Sequence, residues 1–150
     1  MSDLEQSVRI AAPPARVWEL VSDVCRMPEW SPQVTSTRLR SGFDLGLGAE
    51  FTNRNREGEL EWTTHAEIVS FDPERELSFK VAENWAIWSF RLQADGEGTL
   101  LTQTRDTPDG ISDLSRELTD GFFGGQESFL ETLNAGVQQT LERIKAAAEA

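Results

Sequence analysis

The stretch that decides the fold is residues 76–106, ELSFKVAENWAIWSFRLQADGEGTLLTQTRD. Leu77, Phe79 and Val81 alternate with polar residues in its first part, and Trp88, Phe90 and Leu92 do the same in its second. Strict alternation of this kind is the pattern of a half-buried strand. Asp95-Gly96-Glu97-Gly98 separates the second run from Thr99 to Asp106 and is a hairpin turn. Three strands joined by short turns make an antiparallel meander.

Upstream the pattern continues. Ala49 to Arg56 and Glu59 to Phe71 are two further strands around Glu57-Gly58, with Leu60, Trp62, Ala66 and Ile68 sharing a face, and Asp72-Pro73-Glu74 turns the chain into the meander. Gln33 to Ser41 is a strand with Val34 and Leu39, followed by Gly42, Gly46 and Gly48. Near the start, Val8 and Ile10 mark a strand over Ser7 to Ala11. Pro13 and Pro14 then open an amphipathic helix whose apolar stripe is Val17, Leu20, Val21 and Val24. Met27-Pro28-Glu29-Trp30-Ser31-Pro32 is a one-turn helix or turn bracketed by prolines. Downstream of Asp106, residues Ile111 to Thr119 can be helical and glycines interrupt at Gly121, Gly124 and Gly125. From Gln126 onward Leu130, Leu133, Val137, Leu141 and Ile144 recur at helical spacing.

The order is therefore strand, helix, short helix, six strands, long helix, within one domain spanning residues 1–150. An antiparallel sheet of seven strands has one face to bury, and only the C-terminal helix is long enough to cover it. This is an α+β architecture, a curved sheet wrapped around a helix. Such a wrap leaves a space unless bulky side chains fill it.

Composition narrows the function. The formal net charge of −12 lacks the basic footprint that nucleic acid requires. No apolar stretch reaches the ~20 residues that span a bilayer, so no membrane insertion is expected. The N-terminal residues Met1 to Gln6 carry no basic segment before an apolar run. With the free Cys25, a cytoplasmic location is expected. One Cys and one His leave no Cys-based zinc site or His cluster, so neither a metal nor a cofactor is expected.

The polar residues within the alternation are the informative ones. Phe51, Asn53 and Asn55 share a face, as do Leu101, Gln103 and Arg105. If Phe51 and Leu101 point inward, so do two amides, a glutamine and a guanidinium. A dry core would make these costly, whereas a wet or ligand-filled cavity accommodates them. A one-residue slip of register would turn Arg54 and Arg56 inward instead. Trp62 and Trp88 lie at inward positions, either filling the core or lining a cavity with Phe90 and Thr64. Trp30 either anchors its loop or contacts a ligand, and Trp18 packs on the sheet. Trp85, out of phase with Trp88, is exposed or laid on the outer face. His65 has the opposite parity to Trp62 and points outward, and Cys25 is read as a small buried thiol. No residue is assigned a catalytic role.

These segments together resemble the START-like helix-grip superfamily, and within it the polyketide cyclase/dehydrase and lipid-transport group. The resemblance spans Val8 to Glu149. It rests on Val8-Arg9-Ile10-Ala11-Ala12-Pro13, Val17-Trp18-Glu19-Leu20-Val21-Ser22-Asp23, Met27-Pro28-Glu29-Trp30-Ser31-Pro32, Leu47-Gly48-Ala49-Glu50-Phe51, Asp72-Pro73, Gly98-Thr99-Leu100-Leu101-Thr102 and Thr140-Leu141-Glu142-Arg143-Ile144-Lys145. It implies a helix-grip fold with a ligand cavity, but no shared catalytic motif. The expected function is binding of a lipid, polyketide or other apolar small molecule by a monomer or homodimer. The ligand-binding set is Trp30, Phe51, Asn53, Asn55, Trp62, Thr64, Trp88, Phe90, Gln103, Arg105, Phe122 and Phe129, with Gly121-Phe122-Phe123-Gly124-Gly125 as a lid. The alternative is a cyclase or dehydratase working in the same cavity, which the absence of Tyr disfavours. A protein-interaction role is a third class.

Overall fold

A computed structural model of the protein describes the backbone of residues 2–40, 42, 44–108 and 126–150, and the side chains of residues 4–40, 42, 44–108 and 130–150. The segment 111–125, expected to hold a helix and a lid, lies outside the described residues, as do the side chains of Phe122 and Phe129.

Strand β1 (Ser2–Ile10) leads into helix α1 (Pro14–Val21), a single 3-10 turn (Val24–Arg26) and the short helix α2 (Met27–Trp30). Strands β2 (Val34–Leu39), β3 (Glu50–Glu57), β4 (Leu60–Asp72), β5 (Glu76–Val81), β6 (Ile87–Asp95) and β7 (Gly98–Asp106) follow, and helix α3 (Gln126–Glu149) ends the chain. The described strands form one antiparallel sheet in the order β1-β7-β6-β5-β4-β3-β2. This is the helix-grip fold, with the element order read from the sequence.

Three local departures have physical causes. Strand β1 begins at Ser2 rather than Ser7, because its register with β7 runs from Ser2 opposite Asp106 to Ile10 opposite Thr99. Backbone pairing carries it through a stretch with little apolar signal. Helix α1 stops at Val21, three residues early. The Ser22 hydroxyl donates to the Trp18 carbonyl at 2.6 Å, and Asp23 leaves the helical region at ψ 85°. Cys25 is exposed, not buried. In the 3-10 turn Val24 takes the inward position, which rotates the next residue about 120° away.

The core runs along one side of the sheet. Ile10, Phe51, Ile68, Leu77, Phe79, Phe90, Leu92 and Leu101 point to the concave face and join Val17, Leu20, Val21 and Val24 with Val137, Leu141, Ile144 and Ala148 of α3. Trp18 packs edge-on against Phe71 with ring centroids 5.2 Å apart. Gly98 sits where the β6–β7 hairpin crosses the end of β1. A Cβ there would lie 2.5 Å from the Ile10 carbonyl oxygen, so no other residue fits without moving the backbone.

Helix α3 is tied to the β1 edge by polar contacts along its length. The Gln6 side-chain amide donates to the Asn134 carbonyl at 2.8 Å and to its Oδ1 at 2.7 Å. Lys145 Nζ donates to the Arg9 carbonyl at 3.0 Å. The Ala11 N–H donates to Glu149 Oε2 at 2.8 Å, and Lys145 pairs with the same carboxylate. The Ala11 N–H, and next Lys145, hold the Glu149 carboxyl below its ordinary pKa. A depressed carboxylate stabilises the fold above its unfolded pKa, and the contribution fades as the pH falls through the folded value. Glu149→Gln is therefore expected to lower Tm at neutral pH. Thermal scans should show the gap to wild type closing below about pH 4; a gap that persists unchanged at pH 2.5 would refute the latch.

Candidate functional site

Between α3 and the concave face lies a cavity of ≈ 140 Å³. Alternation along four strands builds its walls. Trp88 and Phe90 of β6 sit opposite Arg105 and Gln103 of β7, and Phe79 of β5 sits opposite Trp88. On the other side Asn55 and Asn53 of β3 face Trp62 and Thr64 of β4. Helix α3 contributes Thr132, Leu133, Gly136, Val137 and Thr140, while Met27, Trp30, Ser31, Pro32 and Gln33 close the end nearest α2.

Of the residues expected at a ligand site, Trp30, Asn53, Asn55, Trp62, Thr64, Trp88, Phe90, Gln103 and Arg105 are brought together around this space. Phe51 is not. It is 1% exposed and packs edge-on against Phe79 at 5.2 Å, one pleat deeper than the cavity floor. Its parity was right, but its depth along the strand places it in solid core. The β2–β3 and β3–β4 registers keep Asn53 and Asn55 inside and leave Arg54 and Arg56 exposed, so the slipped alternative does not occur. Met27, Gln33, Asn84, Thr132 and Gly136 also line the space. They come from turns and from α2 and α3, where no two-residue alternation marks an inward side chain.

The buried amides are not equivalent. Asn53 is satisfied on both sides: its Oδ1 accepts from the Thr37 hydroxyl at 2.7 Å and its Nδ2 approaches the Met27 sulfur at 3.3 Å. Asn55 directs Nδ2 to Thr64 Oγ1 at 3.1 Å and, more loosely, to the Asn53 and Trp62 carbonyls at 3.4 Å. Gln103 differs from both. It is 8% exposed, and its Oε1 is sealed and has no hydrogen-bond partner among the described residues. Arg105, 2% exposed, lies with its guanidinium carbon 5.9 Å from the Trp88 ring centroid, within cation–π range.

Trp30 is fixed from outside the cavity. Arg26 stacks over its ring at 5.0 Å, while Arg143 of α3 donates to its carbonyl at 3.5 Å. The Arg26–Glu29 pair at 2.8 Å orders this turn, its hydrogen bond raising the Arg26 pKa and lowering that of Glu29. His65 points outward, as expected. Its ring Nδ1 meets Glu83 Oε2 at 2.6 Å, and its backbone N–H donates to Oε1 of the same carboxylate at 2.7 Å. Trp85 is also exposed, held at a positive φ of 64° at the end of the β5–β6 turn. Among the described residues, no Asp, Glu or His lines the cavity, and no group of three or more His, Cys, Asp or Glu is placed to hold a metal ion.

Comparison with known proteins agrees with this fold. The family model for polyketide cyclase/dehydrase and lipid transport matches residues 1–149. The solution structure of the polyketide-cyclase-like protein Cgl2372 from Corynebacterium glutamicum is similar at 30% identity and a TM-score of 0.61, covering 95% of this chain and 88% of that one. The di-domain ARO/CYC StfQ from the steffimycin biosynthetic pathway matches at 16% identity and a TM-score of 0.77, covering 97% of this chain and 50% of that one. Ginseng major latex-like protein 151 from Panax ginseng matches at 18% identity and a TM-score of 0.72, covering 98% of this chain and 97% of that one. No curated protein matches the sequence significantly.

Two variants separate the cavity's structural parts. Asn53→Ala strands the Thr37 hydroxyl and is expected to cost about 1–2 kcal/mol, read from the urea midpoint. Gly136→Ala should instead stabilise α3 by about 0.5–1 kcal/mol, because its Cβ would meet only Pro32 Cγ at an ordinary 3.6 Å. A lower Tm for Gly136→Ala would show that the helix sits closer to the Ser31–Gln33 turn than described.

Proposed function

The chain belongs to the polyketide cyclase/dehydrase and lipid transport family, and from that premise we propose that it binds a hydrophobic small molecule in the cavity beneath α3. The observation that carries this reading is the wall itself. Five aromatic rings, Trp30, Trp62, Phe79, Trp88 and Phe90, surround the space together with amides and a guanidinium that a dry core would not select. The rings supply apolar contact area, and the polar groups orient a ligand by its heteroatoms.

Catalysis by a cyclase or dehydratase in the same cavity is the second reading, favoured by the similarity in fold to the ARO/CYC protein. Such a reaction needs a proton donor or acceptor beside the substrate. The described lining holds no carboxylate or imidazole, and the only His is on the outer face, so binding is the better supported role. The free, exposed Cys25 favours a reducing compartment, and we place the protein in the cytoplasm on that ground.

Native mass spectrometry of the purified full chain, before and after denaturing extraction, tests the proposal. A small-molecule adduct of fixed mass is expected, lost on extraction, and its return should shift the Trp emission from three cavity indoles. A bare chain whose emission ignores every apolar compound offered would overturn the reading.

A further inference from the structure

We propose that the cavity selects a compound of about one ring bearing both a hydroxyl and a carbonyl, a hydroxyaryl ketone in chemical class, in preference to a long acyl chain or a fused polycycle. This rests on the ligand-binding reading and narrows it.

Size is the first argument. The space measures ≈ 140 Å³, and a cavity of about 150 Å³ holds a benzene-sized guest. An acyl chain of lipid length or several fused rings exceeds that volume. Shape is the second. Trp62, Phe79, Trp88 and Phe90 present flat surfaces on neighbouring strands, a lining suited to stacked and edge-on contacts with another ring.

Polarity is the third argument, and Gln103 carries it. Its carboxamide is buried in the cavity wall, its oxygen has no hydrogen-bond partner among the described residues, and Phe90 and Gln6 flank it across the sheet. Gln6 has turned its own amide to Asn134 of α3. A buried acceptor left unmade is unfavourable until something supplies a donor. A half-turn of the Gln103 amide exchanges its oxygen and nitrogen, so one side chain can accept from a ligand hydroxyl or donate to a ligand carbonyl. On the opposite wall stands a second buried amide, Asn55, whose Nδ2 donates to Thr64. The two amides stand on β3 and β7, with the aromatic strands between them. A ring with polar substituents on two sides meets both; a purely apolar chain meets neither.

The test is calorimetric and fluorescence titration of the full chain with three probes: 4-hydroxyacetophenone, ethylbenzene and palmitic acid. The expected result is one 4-hydroxyacetophenone per chain, bound about tenfold more tightly than ethylbenzene, which is one hydrogen bond's worth of discrimination. Gln103→Leu should abolish that preference, and Gln103→Met, which also lacks the amide, provides a second variant if the leucine form does not fold. Equal affinity of the wild type for the two ring compounds, or an unchanged preference in the variants, overturns the role of Gln103. Stoichiometric palmitate binding with no response to 4-hydroxyacetophenone overturns the size class and leaves a ligand cavity standing. Silence towards all three probes, with a clean native mass spectrum, removes the ligand-binding reading itself.

Discussion

Everything in this molecule depends on how one helix is held against one curved sheet. Helix α3 gives Val137, Leu141, Ile144 and Ala148 to the core, and its far end is tied to β1 through Lys145 and Glu149. Those contacts are concentrated towards the C-terminus of the helix. Nearer its N-terminus the residues that face the sheet are Thr132, Leu133, Gly136 and Thr140, smaller or polar on the whole. Small and polar side chains at these described positions, on a helix packed tightly further along, leave space beneath it. The cavity is thus a consequence of the order of residues along α3, and the strands only decide what lines it.

The strands meet that space with the same two-residue rhythm that builds the core. On β7 the inward series passes from Leu101 to Gln103 to Arg105, and on β3 from Phe51 to Asn53 to Asn55. In each case the apolar residue lies in the packed layer and the polar ones follow as the strand runs out beneath α3. Asn53 is then absorbed into the scaffold by Thr37 and Met27, while Gln103 is not absorbed by anything described. The first amide fixes the wall, and the second is the one assigned to the proposed ligand.

The fold was legible because burial and local geometry coincide. Val8 and Ile10, Leu77 to Val81, Trp88 to Leu92 and the spacing of Leu133, Val137, Leu141 and Ile144 each name their element and its buried face. The site was legible for the strand residues for the same reason, since parity alone separates Asn55 from Arg54 and Trp62 from His65. Parity says nothing about depth, which is why Phe51 belongs to the core despite sharing a face with Asn53. It also fails where the ladder slips: past the irregularity between Ile68 and Ser70, Phe71 pairs with Leu77 and packs against the core despite having the opposite parity to Ile68. Asn84 and Gln33 reach the cavity from turns, whose geometry is set by tertiary contacts rather than by any periodic signal.

The charge distribution bears on the same point. The chain is strongly acidic, with 26 Asp and Glu against 14 Lys and Arg, yet no carboxylate is found among the described lining residues, and the one charged group that lines the space is Arg105. Acids such as Glu59, Glu61 and Glu67 occupy the outer face, where solvation of a carboxylate is unimpeded. A guanidinium tolerates the interior better than an ammonium because it is broad, weakly hydrated and able to lie over an indole. Arg105 is buried beside Trp88 on the wall of a polar-lined space, while Leu101 on the same strand lies in the solid core.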